Sequence, residues 1–125
     1  MSGLCLAAGA LAATLATEAF TLTWTHSVEK VEWQEDYRIA DGKLVLEEAR
    51  IKGSGAGMEP PDGAVLRDGW WAYRPAARPI EALRLTHSEF AADYGLCWSG
   101  ECRAVSGIVP GLGEYALVEL RPCEQ

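Results

Sequence analysis

Two tripeptides hold most of the chemistry this chain could perform. Its two histidines lie in Thr25-His26-Ser27 and Thr86-His87-Ser88, and each serine is followed closely by a carboxylate, Glu29 or Glu89. Serine, histidine and an acid are the parts of a nucleophilic triad, in which the imidazole takes the serine proton and the carboxylate orients the imidazole. A serine directly after a histidine in an extended strand points to the opposite face, so neither histidine can act as base for its own neighbour. The chain also lacks a Gly-x-Ser-x-Gly elbow to lift a serine above a sheet. The chain is therefore read as a non-enzyme. The simpler role is structural: each histidine ends a strand in the apolar phase, packing one face of its ring, while Ser27 and Ser88 open the turn and cap loop amides.

Glu35 is the second anomaly. It shares a strand phase with Val31, Trp33, Tyr37 and Ile39, where an apolar residue is expected. A carboxylate there needs a partner. In a four-residue hairpin over 27–30, His26 faces Val31 and Leu22 faces Glu35, which leaves His26 and Glu35 about 14 Å apart at about 3.4 Å per residue. The partner is then an arginine or backbone amides from another segment, and Glu35 serves either a structural pair or a binding site. The run GSGAGM, 53–58, has glycine at every second position but continues into Glu59 and two prolines. A phosphate-binding loop needs Gly-Lys-Ser or Gly-Lys-Thr and a following helix. What is left is backbone freedom, close approach of another segment, or free amides for an anion. Trp70 and Trp71 fall on opposite faces of a strand, one for the core and one for a covering loop or a contact surface.

The elements that must position these residues are strands. Phe20, Leu22, Trp24 and His26 alternate with threonines, and ADG at 40–42 is a turn before KLVLEEARIK. Short strand-like runs follow, GWWAYR, EALRLTH, YGLCW, CRAVSG and EYALVELR, with turn signals about every ten residues and no helical period after residue 18. The expected fold is all-β, a single-domain antiparallel sandwich or open barrel of about 8–10 short strands over 1–125. The first eighteen residues are read as one short strand and a loop. Their apolar run lacks a basic start and ends at Glu18, so Met1 is read as an expression start, with the native signal or anchor removed.

The chain has 125 residues and a net charge of −7, with no basic run, which argues against nucleic acid and against an anionic membrane surface. Four cysteines fit disulfides better than zinc, because Cys5 and Cys123 stand alone and the histidines form no short ligand pair. No metal and no cofactor is expected. Cys97 and Cys102 flank a turn centred on Ser99-Gly100 and face each other directly, while Cys5 and Cys123 staple the termini. Disulfides imply an oxidising compartment.

Taken together, FTLTWTHSVEK, then Trp33-Gln34-Glu35 with Tyr37, then GSGAGMEPP, a late cysteine pair and a cysteine near the end resemble a small bacterial family, domain of unknown function 1850. Genes of that family commonly sit beside TAXI-type TRAP transporters. The resemblance implies a periplasmic accessory or interaction subunit that contacts the transporter's membrane subunit or its solute-binding protein. It also implies that GLCLAAG is the first strand of the mature domain. The family motif falls on His26, Ser27, Glu29, Glu35, Ser54, Gly55 and Gly57. The alternative expectation is a binder of a small molecule, anion or ion that uses Glu35, His26 and the Gly53–Gly57 loop.

Overall fold

In a computed structural model the chain is described over residues 2–25, 30–53 and 60–124. Eleven antiparallel strands form two sheets, and a single helical turn interrupts them. The smaller sheet contains β1 (Ser2–Ala8), β2 (Leu11–Leu15), β8 (Leu83–Ser88) and β11 (Tyr115–Glu124), in the order β2-β1-β11-β8. The larger contains β3 (Ala19–Thr25), β4 (Glu32–Ala40), β5 (Lys43–Lys52), β6 (Val65–Arg67), β7 (Trp70–Tyr73), β9 (Gly95–Trp98) and β10 (Glu101–Ala104), in the order β10-β9-β3-β4-β5-β7-β6. The helical turn, α1, is Val105–Ile108. The sheets do not close into a barrel, so the molecule is the sandwich of the two expected architectures.

The core follows from strand alternation. Leu4, Leu6, Leu85, Val118 and Leu120 of the small sheet join Phe20, Leu22, Tyr37, Leu44 and Leu96 of the large one in one buried cluster, which Val105, Val109 and Leu112 extend at one end. Three tight hairpins set the registers. Asp41-Gly42, Asp68-Gly69 and Ser99-Gly100 all have positive φ, the conformation of a type I′ turn, whose twist matches that of the flanking strands. Around the last of these, Cys102 pairs with Cys97, and the two are bonded. Cys5 is bonded to Cys123 across the β1–β11 ladder, where Gly3 pairs with Cys123. Both bridges are those read from the sequence, and the first strand does lie beside the last.

Three readings need correction. The first eighteen residues hold two strands rather than a strand and a loop, because Gly9 at φ 60 turns the chain into a hairpin and Ala12 and Ala13 pair with Ala7 and Leu6. CRAVSG is not one strand: β10 stops at Ala104 and the chain coils into α1, which buries Val105 completely. The three-residue β6, all exposed, was too short to register as a period. The described residues thus hold eleven strands, against the about eight to ten expected.

Candidate functional site

The β3–β4 hairpin builds the site. Leu22 pairs with Glu35, Trp24 with Trp33 and Phe20 with Tyr37, so all six side chains share the face of the large sheet that looks toward the core. The same face continues onto β5, where Ala49 pairs with Glu35 and Ile51 with Trp33, and onto β7, where Tyr73 pairs with Ala49 and Trp71 with Ile51. The buried cluster contains Phe20, Leu22 and Tyr37 but stops short of Trp33, Glu35, Ile51 and Trp71. At this end the face is aromatic and half-buried. Trp24 and Trp33 stack with ring centroids 5.0 Å apart. Trp71 lies against the chain at Gly53, where an added Cβ would come 2.7 Å from Cδ1 of the indole. The backbone approach expected of the glycine-rich run is thus present at its first residue.

Glu35 sits in the middle of this face, half-buried. Burial raises its carboxyl above the ordinary glutamate range, and a hydrogen bond donated by Trp24 Nε1 to Oε1 at 3.2 Å opposes part of that. Burial and then the Glu35 charge push the phenols of Tyr37 and Tyr73 upward, so both rings lie close enough to feel the carboxylate. Neither expected partner, an arginine or backbone amides of another segment, is found among the described residues: Glu35 forms no ion pair there, and its donor is an indole of its own hairpin. Arg50 instead serves Asp36 on the opposite face, through two bonds of 2.7 Å, with Thr21 donating a third at 2.7 Å. Burial raises the Asp36 carboxyl, but those bonds more than offset it, and its pKa falls below the ordinary aspartate value. Neighbouring carboxylates thus have opposite environments, one paired with an arginine and one meeting no cation among the described residues. Trp33 Nε1 is also buried and without a partner among the described residues.

The raised pKa gives a signed prediction. Glu35 is held more readily as the neutral acid in the folded chain, so its contribution to stability is fully present below pH 4.5 and is lost as pH rises through the folded pKa. Glu35→Gln, which keeps shape and charge neutrality, is expected to raise the melting temperature at pH 7 and to have no such advantage at pH 4. Thermal unfolding of both proteins at the two pH values checks this.

Of the other residues singled out in the sequence, His26, Ser27, Glu29, Ser54, Gly55 and Gly57 lie outside the described residues. The described residues that flank them, Thr25 and Gly53, lie at one end of the large sheet. Thr25 pairs with Glu32, and Trp33 pairs with Ile51, close to where β5 leads into Gly53. Trp70 and Trp71 do fall on opposite faces, and both are half-buried. Trp70 lies under Lys52, whose ammonium is 4.8 Å from the ring centroid, on the outer face. Neither indole belongs to the main core.

His87 is buried, 7% exposed, in the apolar phase near the end of β8, and Ser88 Oγ accepts a hydrogen bond from the Phe90 amide at 3.1 Å. The buried ring and the Ser88 cap are the features that the structural reading expects. One partner could not be read from the sequence: Asp93 Oδ1 lies 3.5 Å from His87 Nδ1. Gly95 follows it closely in the chain and pairs with Thr23, so Asp93 lies near the end of the sandwich where β3 finishes. Sequence reasoning also missed Tyr73, and it had the means to group Trp24 with Trp33, since the hairpin register that sets Leu22 against Glu35 sets those two opposite as well. Among the described residues no three His, Cys, Asp or Glu side chains gather where they could hold a metal ion.

A family model described as a domain of unknown function (DUF1850) matches residues 20–105, from β3 through the first residue of α1. No curated protein and no solved structure matches the chain significantly.

Proposed function

The chain belongs to the DUF1850 family, and we propose that it is a periplasmic accessory or interaction subunit of a TAXI-type TRAP transporter, docking through the aromatic end of its large sheet. The observation that carries this reading is Glu35. A half-buried carboxylate that meets no cation among the described residues, held between Trp24, Trp33, Tyr37 and Tyr73, costs stability in the free protein. It is suited to a partner that brings the missing charge. The partner residue is a lysine or arginine whose aliphatic stem packs on the indoles while its charged head meets Glu35, a pairing strengthened by the apolar surround. The net charge of −7 favours a partner surface of opposite sign.

The two disulfides support an oxidising location. The test is capture: the immobilised chain is exposed to detergent-solubilised membranes carrying the neighbouring transporter, and separately to its purified solute-binding protein. Retention of either component supports the reading, and retention of neither overturns it. A Trp71→Ser variant should retain less of the captured component, because it removes the apolar wall of the docking face while leaving the main core intact.

A further inference from the structure

We infer that β8 is an interface strand, pairing antiparallel with β8 of a second copy of this chain in a two-fold dimer. β8 is an edge of the small sheet, bonded to β11 alone among the described residues. The Glu89 amide donates to the Glu114 carbonyl at 3.0 Å, which fixes the alternation of the ladder. Leu83, Leu85 and His87 exchange hydrogen bonds with β11, while Arg84, Thr86 and Ser88 turn their amides and carbonyls outward. Among the described residues only the Ser88 carbonyl of this outward set has a backbone partner, the Ala91 amide at 3.3 Å. Such an edge accepts another strand.

The edges of the two sheets are not alike. β6 and β10 are three and four residues long, and short edges discourage pairing. β2 presents no large exposed apolar side chain. β8 has six residues in regular register, without the lysine, proline or bulge that blunts an edge. Beside it lies an exposed apolar patch of Phe90, Tyr115 and Leu117, with the two rings 6.0 Å apart. Tyr115 and Leu117 pair with Ser88 and Thr86, so the patch shares the outer face with the outward-turned residues of β8.

A second copy fits this edge because β8 is complementary to itself. With Thr86 opposite Thr86 across the two-fold axis, Arg84 of each copy lies opposite Ser88 of the other, and each outward amide meets an outward carbonyl. Two threonines face to face form a favourable cross-strand pair. Arg84 stands near the start of the strand and Glu89 just past its end, so the antiparallel match brings these opposite charges together on both sides of the axis. Arg84 meets Glu119 of its own sheet at 3.3 Å. In the dimer it also comes within reach of the Phe90 and Tyr115 rings of the other copy, and a guanidinium stacks well on an aromatic face. The two four-stranded sheets become one of eight strands. This contact is separate from the Glu35 face and does not depend on its role.

The test is sedimentation equilibrium of the chain at about 100 µM, at an ionic strength that screens its net charge of −7. A dimer is expected. Thr86→Pro removes an amide that β11 does not use, so it should leave the fold intact and weaken the dimer at least tenfold. Thr86→Lys and Thr86→Glu, at an exposed position, set like charges opposite each other and should each give monomers. Mixing the lysine and glutamate variants in equal amounts should restore a dimer with one copy of each. A native chain that stays monomeric, a dimer undiminished by any of the three substitutions, or a mixture that stays monomeric would each overturn the assignment. Should Thr86→Pro unfold the chain, the lysine and glutamate variants and their mixture decide the question.

Discussion

Replacing Cys5 and Cys123 together with serine is expected to cost about 5 kcal/mol of stability, the largest effect of any surface change in this chain. The bridge joins residues 118 apart in sequence, and in the chain-entropy model a closure of that length restricts the unfolded chain by about that amount at 25 °C. The bond ties β1 to β11, the two central strands of the small sheet, so its loss also frees the terminus from the face that supplies Leu4 and Leu6 to the core. The hairpin bridge, Cys97–Cys102, spans only 5 positions and is expected to contribute about 2 kcal/mol by the same relation. Its register is already set by the Ser99-Gly100 turn. Denaturant unfolding of the two double-serine proteins should therefore separate clearly. Equal losses would mean that the bridges act on the folded state rather than through the length of loop they close.

Leu22→Ala is the second large effect, with an expected cost of about 3 kcal/mol. Leu22 is 2% exposed and lies directly opposite Glu35 on one side and Leu96 on the other, so its truncation opens a cavity between the strands that carry the site and the core behind them. The change should lower the unfolding midpoint without altering the denaturant dependence. It should also weaken partner capture only to the extent that the protein unfolds. A folded Leu22→Ala protein that fails to bind would show that the hairpin, and not the aromatic end alone, contacts the partner.

What could be read in the sequence divides along physical lines. Strand phase and hairpin register were legible where alternation ran into a turn: a four-residue hairpin over 27–30 placed Leu22 against Glu35, and the Ser99-Gly100 turn placed Cys97 against Cys102. The staple of the termini followed from elimination and compactness. The failures lie where local composition is silent. LAATL has no strong strand preference and becomes a strand because β1 offers it an edge. CRAVSG alternates well enough for a strand, but the burial of Val105 bends the chain into a helical turn. For Glu35 the anomaly was legible and the partner was not. An arginine or backbone amides of another segment were expected, and the arginine on the neighbouring strand, Arg50, went to Asp36 one position away, on the other face of the sheet. A one-residue difference in phase decides such a contact, and the partner's own phase is set by the bulge between Asp36 and Tyr37, which no composition signal announces. Asp93 meets His87 only through tertiary folding of the segment before β9.

The account rests on Glu35 marking a surface that accepts a cationic partner residue, and charge at that one position is its most direct test. The measurement is the affinity of the immobilised chain for the purified transporter proposed as its partner, comparing the native protein with Glu35→Lys and Glu35→Gln after both variants are shown to be folded. The native chain is expected to bind; Glu35→Gln should lose about tenfold, or about 1.4 kcal/mol, and Glu35→Lys should lose binding altogether through like-charge repulsion in an apolar surround. Equal affinity of the native and Glu35→Lys proteins, or tighter binding by Glu35→Lys, would contradict the account.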